Sequence, residues 1–364
     1  MRRFHSTTLR FTVVAALVAV LLGTYVNTVN PPAARAVGGV WWVAPTGTAA
    51  NPASSGSSCA SPSFVGGTHI ALQSAIDAAI DGEEIHVCPG VYAIGSALTV
   101  DKGLTFTGNT PRETVLDGGG SNRIIDITTG NVTVTLDRLH VTNGKVTSGT
   151  EAGGGVRVHE DATLHVMDSI FTNNRADFHG GAIAILGSGS SAGSVQVSGS
   201  TFFNNSAEDG GAIVVAGIST NPSNVDNSTF VGNAASRDGG ALNGSFAALR
   251  AFNSTFVDNR SLGGGATTWV VDLTANLVAY TSAVTISNSA CEHGNTRVDN
   301  VSTEASCLDG NQTTVTEASL ELGLFAPWGG LTPTYSIGSG SSAIDAVTLA
   351  PVPPVTPGRS NTHP

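Results

Sequence analysis

Residues 200–213 read STFFNNSAEDGGAI, and the pattern returns as STFVGNAASRDGGAL at 228–242 and STFVDNRSLGGGAT at 254–267. A looser copy, SIFTNNRADFHGGAI, precedes them at 169–183. Aligned on the aromatic, Phe171, Phe202, Phe230 and Phe256 lie 31, 28 and 26 residues apart. Three residues after each comes Asn174, Asn205, Asn233 or Asn259, and five after it Ala176, Ala207, Ala235 or Ser261. Then comes a glycine pair, at Gly180-Gly181, Gly210-Gly211, Gly239-Gly240 and Gly264-Gly265. Spacing is held inside the motif and varies outside it, as in a solenoid that carries its loops on one side.

Weaker copies extend the rows. LHVTNG (139–144) leads to GGGV (153–156), and VTISNSA (284–290) lies 30 residues past Phe256, counted to Ile286. Between motifs, GVRVHE (155–160), TLHVMD (163–168), SVQVSG (194–199) and AIVVAG (212–217) alternate as short strands do. No helical period appears in 93–320. Short strands without helices predict a parallel β-helix, one coil per repeat, with matched positions about 4.8 Å apart. In that geometry the Phe residues stack through the interior. The Asn residues form a ladder in a turn, where Asn also tolerates left-handed backbone. The small residues fit a crowded corner, and the glycines permit positive φ and close packing. These columns are read as structural.

A helix of about 12 residues, starting at Ile70 and stopped by Gly82, is expected to cap the first coil. Trp41 and Trp42 are expected to pack on that cap. Capping suppresses aggregation through open strand edges. Of the three pairings open to Cys59, Cys88, Cys291 and Cys307, the local ones, Cys59–Cys88 and Cys291–Cys307, are the most economical. Each is worth about 3 kcal/mol by loop entropy. Free buried thiols are the alternative.

The chain opens with Arg2, Arg3 and Arg10, an apolar run from Phe11 to Leu22, and Ala34-Arg35-Ala36. That is a signal-peptide pattern with cleavage after Ala36, and an uncleaved anchor is the alternative. Beyond residue 36 the chain carries 12 basic against 27 acidic residues, a formal charge of −15. That excludes nucleic acid as the expected partner and suits an extracellular protein with no stable membrane span after cleavage. With 40% hydrophobic and 12% charged residues the chain is not of the disordered class. The organisation expected is a signal peptide (1–36), an N-terminal loop and cap (37–92), coils (93–290), a C-terminal closure (291–350) and a disordered Pro-rich tail (351–364).

Three segments carry a resemblance: AIDAAIDGEEIHVCPGVY (75–92), the STFxxN…GGA coils, and LGLFAPWGGLTPTYSIGSGSSAIDA (322–346). Together they resemble secreted bacterial proteins of the right-handed parallel β-helix, or pectin-lyase-like, class. The FxxN and GGA elements are similar to those of chlamydial polymorphic outer membrane proteins. The last segment is similar to a C-terminal stretch of bacterial surface proteins with varied anchors. The resemblance spans roughly 40–346. It implies an all-β, right-handed parallel β-helix of about eight coils, secreted or at the cell surface and associated with glycans. The superfamily holds polysaccharide lyases and glycoside hydrolases as well as non-catalytic adhesins. The Trp-Ile-Asp-His stretch of its lyases and the Asn-Thr-Asp and Gly-Asp-Asp strings of its polygalacturonases do not occur here.

Two side-chain sets are candidates for chemistry. The residue before each glycine pair is His179, Asp209, Asp238 and then Gly263. Stacked carboxylates raise one pKa or attract a cation. His179, Asp209 and Asp238 are therefore catalytic candidates, and Asp177, Asp209 and Asp238, with Glu208 nearby, are Ca2+ candidates. A solvated turn is the bland alternative, and no cofactor is the default. Arg138, His140, Arg157, His159 and His165 form a second set. If Val156 and Val158 point inward, Arg157 and His159 point outward, and the five could line a groove for an acidic sugar; a scattered, solvent-facing set is the plainer alternative. The preferred function is a non-catalytic, adhesin-like or glycan-binding protein whose partner is an extracellular polysaccharide or a cell-surface component. The alternative is a polysaccharide lyase or hydrolase.

Overall fold

The computed structural model describes residues 39–343, apart from 48–57, 160, 189–190, 218–220, 245–248, 266–267, 270, 280–290, 293–296, 299 and 309–313. The chain divides into two units, Met1–Gly38 and Gly39–Pro364. The first unit, with the expected signal peptide, lies outside the described residues, as does the Pro-rich tail.

The second unit is a parallel β-helix. A repeat visits four sheets in turn: Thr163–Met167 in sheet I, Ile170–Thr172 in sheet II, Arg175–Ala176 in sheet III and Ile183–Ile185 in sheet IV. The next repeat follows the same order with Ser194–Ser198, Thr201–Phe203, Ser206–Ala207 and Ile213–Val215. Sheets I to IV hold 11, 9, 5 and 8 strands. The solenoid makes about six regular turns, and its end coils bring sheet IV to eight strands. Its ends are irregular: sheet III is confined to five coils, and two N-terminal strands extend sheet I alone.

The repeated motif builds three files of side chains. Phe171, Phe202, Phe230 and Phe256 are fully buried and pair in register. Their ring centroids lie 5.0, 4.7 and 5.0 Å apart, with interplanar angles of 9°, 3° and 12°. Beside them runs the Asn file. Asn174 Nδ2 donates to Asn205 Oδ1 (3.0 Å), Asn205 Nδ2 to Asn233 Oδ1 (3.0 Å), and Asn233 Nδ2 to Asn259 Oδ1 (2.9 Å). The same oxygens accept the backbone N–H of the preceding Asn, and each Nδ2 also donates to a core carbonyl. The left-handed residue is not the ladder Asn but the one before it: Asn173, Asn204, Gly232 and Asp258, at φ of 55°, 55°, 62° and 55°. The two adjacent asparagines thus do separate work.

The third file escaped the sequence reading. The serine that opens each motif hands its Oγ to the backbone N–H one coil earlier, from Ser169 through Ser200, Ser228 and Ser254. Asn276 and Asn300 continue the file with Oδ1. The glycines also divide their roles. Gly210 has φ +59°, whereas a Cβ on Gly211 would sit 2.2 Å from the Gly240 carbonyl oxygen of the next coil.

Two expectations about repeat register need correction. Thr268 pairs with Leu242, so Gly265, not Gly264, stands level with Gly239, and Gly264 rather than Gly263 follows Asp238 in its column. In that register Phe256 to Gly265 spans nine residues, as Phe230 to Gly239 does. Beyond Phe256 the next coil arrives early, with Val278 under Phe256. The expected copy at 284–290 lies outside the described residues.

The N-terminal end is plugged sheet by sheet. The strand Val40–Ala44, which holds Trp41 and Trp42, pairs with Glu84–Val87 at the edge of sheet I. Gly67 O accepts the Ala93 N–H at the edge of sheet II (2.8 Å). Gln73 closes sheet IV: its amide both accepts from Thr99 N (2.9 Å) and donates to Thr99 O (3.1 Å), as a further strand would. Gln73 sits on helix α1, His69–Ala78, which ends before Gly82 because Ala79 is already extended. Lys102 Nζ takes the freed Ile76 and Ala79 carbonyls (3.2 Å each). Ile70, the expected start of the helix, is exposed; Ala71, Leu72, Ala75 and Ile76 pack inward. Disulfides join Cys59 to Cys88 and Cys291 to Cys307.

The C-terminal segment folds back rather than only closing the far end. A hairpin of Leu322–Ala326 and Thr334–Ile337, here called the strap, lies on the outer face of sheet II. Phe325 and Tyr335 pack with Phe203, Val231, Val257 and Ala279, the outward residues of four successive coils. Thr201 Oγ1 donates to Pro333 O (2.6 Å), Thr332 Oγ1 to Gly199 O (2.8 Å), and Arg112 Nη2 to Gly330 O (3.0 Å).

The files assign different costs to neighbouring asparagines. Asn205→Ala strands partners on both sides, and urea unfolding followed by circular dichroism is expected to show a loss of about 3 kcal/mol. Asn204→Gly should stay within about 0.5 kcal/mol of the parent, and Asn204→Val should lose about 1–2 kcal/mol, because only the backbone hand matters there.

Candidate functional site

The acidic column stands where sheet III turns toward sheet IV. Each member follows a short strand and precedes a glycine held at positive φ. Asp209 is buried, and His179 bridges to it across the coil boundary. Its carboxylate is fully engaged. Arg237 approaches it with Nε on Oδ1 (2.9 Å) and Nη2 on Oδ2. His179 Nδ1 lies 3.2 Å from Oδ2, and the Asp238 N–H donates to Oδ1 (3.2 Å). Burial works to raise the Asp209 pKa, but the bonds from His179 and Arg237 outweigh it and hold the carboxyl below its ordinary range.

Asp238 Oδ1 accepts the Gly264 N–H (2.7 Å), and its Oδ2 lies 3.7 Å from Arg237 Nε. Arg237 Nη1 also donates to Glu208 (2.6 Å), and Arg175 lies 3.5 Å from Asp177. The column therefore presents no bare carboxylate pair. A cation there would have to displace Arg237. Among the described residues, no group of three His, Cys, Asp or Glu side chains converges as metal ligands. Arg237 was missed in the sequence, although the repeat alignment sets Arg237 against Glu208 and Asp238 against Asp209.

The five basic and histidine candidates do not converge. Arg157 and His159 lie on sheet IV, His165 on sheet I, and Arg138 and His140 at and beyond the turn into sheet II. The scattered arrangement holds rather than the common groove: the five are split over three faces, because sequence neighbours on either side of a turn leave on different sheets.

Arg157 grips Asp126 of the preceding coil, Nε to Oδ1 (2.9 Å) and Nη2 to Oδ2 (2.5 Å), and reaches Glu151 (3.2 Å). Arg123, itself buried, ties the same Glu151 to the Ala152 and Gly153 carbonyls. His159 Nε2 lies 3.3 Å from Asp126 Oδ1. Burial pushes Asp126 up, yet the Arg157 bond prevails and its pKa falls below the usual value. Arg138, in a left-handed turn, holds Asp137 (3.2 Å). His165 is half-buried, and desolvation lowers its pKa.

His140 is the member that borders a cleft. The gap between the strap and sheet II, open to solvent at its mouth, has a volume of about 350 Å3. His140 Nε2 meets Thr172 Oγ1 at 2.7 Å, and Thr172 Oγ1 donates to Thr142 Oγ1 (2.8 Å), so the ring donates through Nε2. Desolvation lowers its pKa, against the pull of Asp117. A second, open groove of about 350 Å3 follows sheet III. Its floor is the small-residue column Ala176, Ala207 and Ala235, and Arg175 and Arg260 flank it. Trp328, at the strap tip, is 53% exposed, and its indole N–H is bonded to Leu324 O (2.9 Å).

The Chlamydia polymorphic membrane protein repeat matches residues 168–185 and 199–216. These are two successive turns, each running from just before the serine file, through the Phe and Asn files, to the strand on sheet IV. No curated protein and no solved structure matches the chain.

Two acid-side effects are expected. Asp209 and Asp126 have depressed folded-state pKa values, so their stabilisation is present above the ordinary value near 3.8 and is lost as pH falls through the folded value. Asp209→Asn should flatten that decline and remove about 2 kcal/mol at pH 7. That is less than for a fully buried pair, because Arg237 is half exposed. Separately, His140 and His165 lie below their ordinary value of 6.5 when folded. The unfolded chain then takes up protons first, and stability should begin to drop as pH falls below about 6.5. His140→Gln should reduce that step in a pH series of urea titrations.

Proposed function

We propose that this chain is a non-catalytic, adhesin-like β-helix protein, exported to the cell surface or secreted, which engages an extracellular polysaccharide or another surface component. The observation that carries the reading is where the family match falls. It covers the coil-building columns that this chain shares with Chlamydia polymorphic membrane proteins. The state of the acidic column supports the non-catalytic part. A general acid and base need carboxylates free to exchange protons, with one pKa raised. Asp209 instead carries a lowered pKa under Arg237 and His179.

For contact with an extended polymer, the open groove on sheet III is the favoured face. It runs across successive coils, and Arg260 makes no ion pair among the described residues. The carboxylates on its rim, Asp177 and Glu208, are paired with Arg175 and Arg237, which leaves the Arg260 guanidinium above a floor of small side chains for an acidic polysaccharide chain.

A panel of uronate and neutral polysaccharides, with and without Ca2+, tests this. The expected result is binding without release of unsaturated or reducing ends, unchanged by Asp209→Ala or Asp238→Ala and weakened several-fold by Arg175→Gln with Arg260→Gln. Chain cleavage that disappears in Asp209→Ala or Asp238→Ala would replace this reading with that of a polysaccharide lyase or hydrolase.

A further inference from the structure

The cleft under the strap has a chemistry different from that of the sheet III groove. Its walls are Ile170, Phe203, Phe325, Pro111 and Pro333, all apolar, and the rings of Phe203 and Phe325 lie 5.6 Å apart at 32°. The polar groups on its lining are mostly committed. Thr201 Oγ1 donates to the strap at Pro333 O, and Thr172 Oγ1 accepts from His140 and donates to Thr142. Asp117, near His140, accepts from Gly119 N and Asn143 Nδ2. Arg112 is the exception. It spends one N–H on Gly330 O and meets no carboxylate among the described residues, since the neighbouring Glu113 is bonded to Asn109.

From this arrangement we propose that the cleft between the strap and sheet II is a binding site for a small aromatic carboxylate. The ring lies against Phe203, Phe325 and Ile170, and the carboxylate meets Arg112 at the mouth. A volume of about 350 Å3 is at the small end for ligand sites, the size of one ring with a short acid arm. Charge complementarity supplies the anionic end: the guanidinium offers paired N–H donors that a carboxylate matches. The apolar walls supply the ring contact, with the offset aromatic geometry that such pairs favour. A sugar is disfavoured, because its hydroxyls would be desolvated against walls whose own polar groups are already bonded. The site is independent of the polysaccharide reading above.

Calorimetric titration of the full chain with phenylacetate, phenylacetamide and glucuronate tests the assignment. Phenylacetate is expected to bind saturably and at least 10-fold more tightly than either of the others. Arg112→Gln should weaken phenylacetate about 10-fold and leave phenylacetamide unchanged. Ile170→Trp, which fills the cleft, should abolish phenylacetate binding. If that variant does not fold, Phe203→Leu should weaken phenylacetate several-fold. Absence of saturable phenylacetate binding, glucuronate binding as tight as phenylacetate, or indifference to Arg112→Gln would each overturn the proposal.

Discussion

Everything in this molecule depends on one bond repeated: a buried asparagine amide that donates to the matching asparagine one coil later. An amide in an apolar interior is costly unless each of its groups is paired. Here the partner is a copy of itself at the coil spacing, together with a backbone N–H and a core carbonyl. Any change of register by one residue would leave two coils with unpaired amides. The Asn file therefore sets the register in which the phenyl rings can stack and the serine file can close.

The same stacking governs the charged residues. Opposite charges one coil apart become neighbours, so Asp209 meets Arg237 and Asp126 meets Arg157. Residues that look like a reactive cluster in one dimension are drawn into ion pairs by the coil above or below. What remains available is where the stack meets something outside itself: the open groove on sheet III and the gap beneath the strap. The strap crosses several coils on sheet II. Its apolar contacts join windings that otherwise touch only their neighbours.

Much of the fold was legible because the repeat is nearly in phase. The Phe and Asn columns, the parallel coils and the N-terminal helix can be read from spacing, whereas the two Cys pairs were only the most economical of three pairings until the structure joined them. The serine file was legible in principle, since every motif opens with Ser, but a serine before a strand also reads as ordinary turn chemistry. The slip at Gly263–Gly265 was hidden by a third glycine, which lets two alignments fit equally well. The strap had one unread signal. Phe203, Val231 and Val257 follow the core Phe and must face outward, so three apolar residues on an outer face ask for a cover. The basic candidates failed for a geometric reason: Arg138, Arg157 and His165 are close in sequence, yet a coil corner separates their faces.

A double-mutant cycle on the asparagine file tests the central claim most directly. Unfolding free energies of Asn205→Ala, Asn233→Ala and the double variant should show a coupling of about 1 kcal/mol or more, because the two amides share a bond. The pair Asn205 and Asn259, two coils apart, should be additive within about 0.5 kcal/mol. Additivity of Asn205 with Asn233 would contradict the stacked file and, with it, the arrangement of coils described here.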